Sequence, residues 1–576
     1  MSTSKNTDSK VEETASTHLE DIPSDATEVK QPGVTARALV IVLAINTIYF
    51  AQLVNIVGSG SLARDITAVV GGSTESVWFT STIAILTAVL SPPVSQAADL
   101  WGRRWILVAL TACGCIGAII VSRATNVSQV ITGFTVGGIC YGAQPLLHAV
   151  TSEVLPRKYR AWAQASVNVS ASLGGIYALL VGGALTRNQR PENFRTYWYT
   201  AAGIYAIAAL IVAVLYRPPP RELQVTLTTS EKLQSLDWLG YALLVSSLTL
   251  FSLGLSWAQN PLPWTSPAVL APLIIGVALI GALLVYEIRF KQDGLLHHDL
   301  FRHRNFPISL FCIFTEGLSF YCANNYFAFE VGTLYTHDAL RVGLHYSITF
   351  YSLIFFALIA AFYCSAVKAV RLPTCVAFTM FALFNALMAS IRTTTPEANL
   401  WGYAVFLGAG LGVCLTCLVT AAQFATPPGL IAITSGLMIG MRSLGGVVGL
   451  AIYGAIFNAA LTSNITSRVA GASIALGLPP TSVADLIGAL SAGDMTGALT
   501  IPGVTPTILE AAGGGLQQSF VIAFRDVWIA AASFSLVAVV VFEASLFLVD
   551  PKSSFDERVD APLKVLPLDV QSKGHI

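Results

Sequence analysis

The chain has 576 residues, of which 54% are hydrophobic and only 11% are Asp, Glu, Lys or Arg, with a mean hydropathy of +0.67. A soluble domain carries about 25% charged residues, so a soluble fold is excluded, as are fibrous, disordered and disulfide-framework classes. Lys plus Arg and Asp plus Glu are each 32, so the net charge is zero and no global basic field exists to hold nucleic acid.

Residues 1–36 are polar, rich in Ser, Thr, Glu and Lys, and lack the apolar core of a cleavable signal peptide. They are expected to form a disordered cytoplasmic tail. From Arg37 onward, apolar runs of about 19–30 residues recur, each long enough to cross a hydrocarbon core of roughly 30 Å. Fourteen are predicted, beginning near 37, 76, 105, 127, 161, 197, 238, 267, 306, 345, 373, 400, 430 and 525. The last ends near Val549, leaving a polar tail over 550–576.

Six spans thus fill 37–216, a polar connection fills 217–237, two spans fill 238–289, and six more lie in 290–549. The stretch 462–524 is rich in Gly, Ala, Thr and Pro and is expected as an outer loop. It contains Asn464-Ile-Thr466, a candidate glycan acceptor. With both termini inside, 22 Lys and Arg lie on the cytoplasmic side against nine outside, with Arg442 alone inside a span. That bias satisfies the positive-inside rule, against the dissent of Arg187, Arg190 and Arg195 in one outer loop.

No phosphate-binding glycine loop, carbonyl-lined filter repeat, nucleophile–base set or metal cluster is visible, and no water-exposed segment is large enough for an independent active site. The expectation is a non-enzyme without cofactor or metal, acting as a monomer in the bilayer. The nine cysteines lie within or beside apolar runs and read as small buried hydrophobes, Cys113-x-Cys115 and Cys414-x-x-Cys417 included.

The sharpest local pattern is Ser95-Gln-Ala-Ala-Asp99-Leu-Trp-Gly102-Arg103-Arg104, between the second and third spans. It sets a carboxylate and two guanidinium groups at the membrane boundary, with Gly102 permitting a tight turn. Such a cluster can latch helix ends in one conformation and release them in another. Asp99, Gly102, Arg103 and Arg104 are therefore the candidate conformational latch.

D-x-x-G-R-R after the second span resembles the cytoplasmic signature of the major facilitator superfamily, whose fuller pattern has Gly where Ser95 stands here. Fourteen spans resemble the drug:proton antiporter branch. SEVLPRKYR (152–160), YRPPP (216–220), LDWLGYALL (236–244), GLSWAQNPLPW (254–264), LFRHRNF (300–306) and RSLGGVVGLAIYGAIF (442–457) resemble the fungal trichothecene efflux pump family. The resemblance runs over roughly 37–550 and implies an all-α membrane fold of two six-helix bundles plus two additional central helices. It departs in the fourth span, where Gly133 stands at the position of the usual antiporter Arg, and in the fifth, whose glycine pattern lacks its Pro.

Ionisable groups within spans are costly and normally face a cavity or a partner. Glu316 lies about ten residues into the ninth span, about 15 Å along the helix axis, and Arg442 lies similarly deep in the thirteenth. Glu316 is the candidate proton-coupling residue, and Arg442 the group that holds a carboxylate or an anionic part of the cargo. Asn46 and Gln52 in the first span, Gln144 in the fourth, Asn168 in the fifth, and Phe320 and Asn324 in the ninth complete the candidate substrate cavity. His148 reads as a local helix tie, and Phe320, Tyr321, Tyr326 and Phe327 as an aromatic side suited to planar or terpenoid ligands.

The combined expectation is a secondary transporter of the plasma membrane, with a vacuolar or vesicular membrane as the alternative, that exports a hydrophobic small molecule in exchange for protons by alternating access. Import of a ferric siderophore by the same plan is the alternative within transport. A non-transporting sensor is the alternative outside it.

Overall fold

A chain of hydrocarbon-length apolar runs must satisfy its backbone groups internally, and single helices do so. The computed structural model describes residues 35–72, 75–187, 190–219, 222–258, 262–291, 294–492 and 495–539. Among these, fourteen helices are long and apolar enough to cross a membrane. They are α1 (Ala36–Ser61), α2 (Val77–Trp101), α3 (Arg103–Arg123), α4 (Val127–Val154), α5 (Arg160–Thr186), α6 (Phe194–Leu215) and α7 (Trp238–Trp257). Then follow α8 (Pro267–Arg289), α9 (Asn305–Leu334), α10 (Ala339–Val367), α11 (Arg371–Ala389), α12 (Ala398–Phe424), α13 (Ile431–Ile474) and α14 (Pro506–Val537). The predicted tails lie largely outside the described residues.

Helices α1–α6 form one bundle and α9–α14 the other, and the bundles meet along two seams, α5 against α10 and α2 against α13. Small residues set the closeness of both. Gly183 abuts the backbone of Ala339 and Leu340, and Gly436 sits on Ser91 and Ser95. The α7–α8 hairpin lies outside this core, with Leu244 and Leu248 of α7 packed on Ala88, Val89 and Leu444 beside the second seam. One end of the bundles carries the Asp99–Arg104 segment and is called the latch end below; the other is the far end.

Helix α4 is interrupted at mid-span by a 3-10 segment, Ile139–Ala143, just before Pro145, and Tyr141 steadies it by donating to the Gln52 carbonyl at 2.6 Å. The polar connection is ordered where described. Helices Glu222–Thr226 and Thr229–Ser235 flank a capping box in which Thr228 and Glu231 satisfy each other's backbone groups.

The stretch 462–524 differs from the expected loop. Helix α13 runs on to Ile474, α14 starts at Pro506, and short helices Val483–Ala492 and Met495–Leu499 lie between. Val469, Leu486, Leu490, Ala498, Ile508 and Ala512 give this far-end module its own apolar cluster. Asn464 stands inside helical α13 and its amide donates to the Ala460 carbonyl at 2.8 Å.

Candidate functional site

Helices α9 and α13 touch backbone to backbone because both carry glycine at the crossing. A Cβ on Gly317 would collide with the Arg442 carbonyl oxygen, and one on Gly445 with that of Phe314. This approach brings two charged side chains together in the interior. Arg442 donates from Nε to Glu316 Oε2 at 2.6 Å and from Nη2 to Glu316 Oε1 at 3.0 Å. Glu316 is fully buried and Arg442 is 6% exposed, so each charge relies on the other for what water would have supplied. The planar fork matches the carboxylate in a way a lysine could not.

Phe320, one turn beyond Glu316, places its ring 4.6 Å from the Arg442 guanidinium carbon. Tyr321 and, from the other bundle, Tyr49 lie within electrostatic reach of the pair. Gln144 adjoins the Tyr49 hydroxyl, and the Tyr49 ring meets His148 edge-on at 5.6 Å. The ion pair therefore sits where the two bundles face each other. Each carboxylate oxygen gives one lone pair to Arg442 and keeps a second.

The latch segment is built around Arg103. It reaches Asp99 Oδ1 at 3.1 Å from Nη2 and Glu153 Oε1 at 2.8 Å, and its Nη1 also binds Glu153 Oε2. Glu153 belongs to α4, so one buried guanidinium joins the ends of α2, α3 and α4. Arg104 points elsewhere, donating to the Ala213 carbonyl of α6. Gly102 has φ +90°, a conformation that favours glycine, and a Cβ there would press on Gln224 of the polar connection. The close contact at Ser95 comes from across the seam, where Gly436 leaves room for the serine.

Both ends of the bundle interface are tied. At the latch end, Arg160 donates to the Gln423 carbonyl at 3.1 Å and its guanidinium lies 5.2 Å from the Phe424 ring. Gln423 donates in turn to the His148 carbonyl at 3.4 Å. At the far end, Arg64 donates to Thr333 Oγ1 at 3.2 Å and stacks over Phe329 at 4.0 Å, while Arg187 meets Asp338 at 3.0 Å. The central pair is enclosed between these two sets of contacts.

A buried ion pair thus lies where two six-helix bundles face each other, and sequence comparison assigns this fold to a family. The Major Facilitator Superfamily matches residues 41–450. The chain belongs to that superfamily. It is 23% identical over 391 residues to the MFS-type transporter ucsD of Acremonium sp, covering 67% of this chain and 65% of that one. It is 26% identical over 392 residues to the MFS-type efflux transporter ffsH of Aspergillus flavipes, covering 66% and 67%. The match to a further Acremonium sp transporter, pydD, covers only 43% of that protein.

Among solved structures, an inward-facing bacterial homologue of the human lysosomal transporter Spinster aligns at TM-score 0.54 and 15% identity, over 88% of this chain and 98% of that one. An auto-inhibited POT family peptide transporter aligns at TM-score 0.52 and 13% identity, over 82% and 100%. At these identities the likeness is one of fold. The chain is thus a multi-pass membrane protein of the Major Facilitator Superfamily, and it spans about two thirds or less of the length of the curated relatives named above.

Within this fold the predicted cavity residues separate into groups. Phe320 borders the central pair, and Gln144 is linked to it through Tyr49. Asn168 donates to Thr416 of α12 at 3.0 Å, a tie between bundles. Asn46 donates to Ser166 at 3.2 Å and Gln52 to the Cys140 carbonyl at 2.9 Å, both within the first bundle. Asn324 is buried against Gly60 with neither amide atom paired among the described residues. His148 holds Gln164 at 2.6 Å, the helix tie expected of it.

The aromatic residues of α9 do not share one side. Phe320 lies under Arg442, Tyr326 packs on Phe457 of α13, and Phe327 packs on Tyr346 and Phe384 of α10 and α11. Glycine at position 133 has a packing cause, since a Cβ there would collide with Val121 of α3. The sequence does not single out Glu153, Arg64 or Asp338, and it marks Arg187 only as a breach of the charge bias. Glu153 was visible as the acidic residue in SEVLPRKYR, and Arg187 as a cation on the sparsely basic side.

Proposed function

We propose that this transporter exports an uncharged or weakly polar hydrophobic small molecule, such as a fungal secondary metabolite, toxin or drug, in exchange for protons across the plasma membrane. The observation that carries the reading is the buried Glu316–Arg442 pair between the bundles, 2.6 Å and 3.0 Å in its two bonds. Relatives named as efflux transporters support the direction.

The chemistry follows from one carboxylate having two uses. Paired with Arg442, Glu316 accepts a donor group of the cargo on its free lone pairs. A proton arriving from the outer side takes up one of the same lone pairs, neutralises the carboxylate and weakens its charge-assisted bonds to Arg442. Cargo and proton then exclude each other, which is the requirement for antiport. The latch around Arg103 and the ties at the far end hold alternate faces closed, so that the site opens to one side at a time.

The test uses proteoliposomes holding the purified protein and a panel of labelled lipophilic metabolites. Accumulation should follow an imposed proton gradient in the wild type and collapse with an uncoupler. Glu316→Gln should retain counterflow of labelled for unlabelled cargo while losing the response to the gradient. An unchanged gradient response in that variant would remove the assignment, and absence of counterflow in the wild type would favour a sensor.

A further inference from the structure

The mouth of the α7–α8 hairpin at the latch end brings two carboxylates together. Asp237 caps α7, its Oδ1 accepting from the Gly240 amide at 2.9 Å and from the Tyr286 hydroxyl at 2.9 Å. Glu287 stands in the last turn of α8. Its Oε1 accepts from the Leu295 amide at 3.2 Å and its Oε2 from the Leu296 amide at 3.0 Å, both in the linker that follows α8. Two glycines leave the space these groups occupy. A Cβ on Gly240 would collide with Asp237 Oδ2 and lie 3.0 Å from Glu287 Oε1, and one on Gly294 would collide with Glu287 Oε2.

Capping explains Oδ1 of Asp237 but not Oδ2. Asp237 is 3% exposed and Glu287 is fully buried, and Asp237 Oδ2 has no hydrogen-bond partner among the described residues. No Lys or Arg among those residues pairs with either carboxylate; Arg302 of the linker serves Asp299 at 3.2 Å. The titratable groups facing the pair are the Tyr286 and Tyr241 hydroxyls and His298, whose ring meets the Glu287 carbonyl at 3.2 Å. Two carboxylates this close in a buried place cannot both stay ionised. The end of α8 adds to the cost, being the negative end of the helix. One proton between them removes the conflict and gives Asp237 Oδ2 its missing partner.

We propose that Asp237 and Glu287 share one proton and form a proton-binding site at the latch end, separate from Glu316. With the proton in place, Glu287 holds the 294–296 turn through its two amide contacts. The Gly294 carbonyl in turn accepts from Gln96 Nε2 at 3.4 Å, and the Tyr241 hydroxyl donates to Gln96 Oε1. Gln96 belongs to α2, next to Ser95 at the tight seam with α13, so the site ties the linker leading into α9 to the latch end of α2. Loss of the proton leaves two facing charges, one of which must turn away, and the turn is released with its tie to α2. The pH on the latch side thereby sets how firmly that end is closed. None of this rests on the export reading or on the role of Glu316.

The experiment places the full chain in phosphatidylcholine nanodiscs and follows hydrogen–deuterium exchange of the 294–296 amides by mass spectrometry, each rate divided by the intrinsic rate at that pH. Protection should fall several-fold as the pH rises from about 5 to about 9, a range that spans the titration of buried carboxyl groups. Asp237→Asn keeps the cap and gives Glu287 a permanent amide donor, so its protection should stay high throughout. Infrared difference spectra over the same range give a second readout. One carboxylic-acid C=O band of the wild type should be missing from both Asp237→Asn and Glu287→Gln, because one proton serves the two groups; the second variant guards against the first failing to fold. Protection independent of pH in the wild type, an equal fall in Asp237→Asn, or a band kept by either variant would overturn the proposal. Protection at high pH that returns on adding sodium or potassium would overturn it too, since a metal cation would then fill the gap.

Discussion

Gly317 lies against the carbonyl oxygen of Arg442, and this contact between α9 and α13 is what lets Glu316 and Arg442 meet. A methyl group at position 317 must push the two helices apart. Overpacking of this kind costs about 1–3 kcal/mol. Gly317→Ala should therefore lower the melting temperature in detergent and weaken the response of cargo exchange to an imposed proton gradient together. Gly203→Ala in α6 is the control, since nothing lies within 4 Å of its Cβ position, and it should melt at or slightly above the wild-type temperature.

The buried pair also predicts a non-additive response. Glu316→Gln leaves the Arg442 charge buried without its partner, a loss of about 3–5 kcal/mol. Replacing both residues, Glu316→Gln with Arg442→Gln, removes the stranded charge and should recover much of that loss. Thermal unfolding of the four chains in a double-mutant cycle measures the coupling. Equal, additive losses would show that the pair is solvated.

Adjacent arginines of the latch should behave unequally. Arg103 is 4% exposed and serves both Asp99 and Glu153, whereas Arg104 reaches one carbonyl and the face of Trp105. Arg103→Ala leaves two facing carboxylates and should cost about 3–5 kcal/mol; Arg104→Ala should cost about 1 kcal/mol. Glu153→Gln should resemble Arg103→Ala in direction and raise the alkylation rate of a cysteine placed at Ser152, which is 1% exposed.

The far end carries a pH-dependent group. Asp65 lies in the short helix Ala63–Val70, and burial pushes its carboxyl up to about 6 against the opposing influence of Thr186 and Arg64. Its folded value lies above the ordinary 3.8, so its contribution to stability is fully present below 3.8 and is lost as the pH rises through about 6. Asp65→Asn should match the wild type near pH 4 and exceed it at neutral pH by about 1–2 kcal/mol after allowance for solvent screening. Melting temperatures across that range check it.

The helix number was legible because a hydrocarbon core demands long apolar runs wherever they occur. The start of α14 was not, because Glu510, Gln517 and Gln518 dilute the apolar signal between Pro506 and Phe524. The local signal was present all the same. Thr505 caps the helix by accepting from the Ile508 amide, and Pro506 occupies the first turn. Glu316 and Arg442 could each be singled out by the cost of burying charge. Their pairing could not, since 126 residues separate them and helix rotation is decided by packing.

Arg187 and Arg195 looked like breaches of the charge bias. In the structure Arg187 meets Asp338, and Arg195 donates to the Ser122 carbonyl at 3.1 Å, so each has a local reason to be where it is. Glu153 stayed hidden for a related reason. A carboxylate beside Arg157, Lys158 and Arg160 reads as part of a charged helix end, and only the fold shows that its partner is Arg103, 50 residues earlier.

Proton movement accompanying cargo movement is the most direct measurement of what Glu316 does. Vesicles holding a pH-sensitive dye and the purified protein, with no gradient imposed at the start, should change internal pH when cargo is added on one side. Glu316→Gln should pass cargo down its gradient and leave the dye unchanged. A dye response in that variant equal to the wild type would contradict the account.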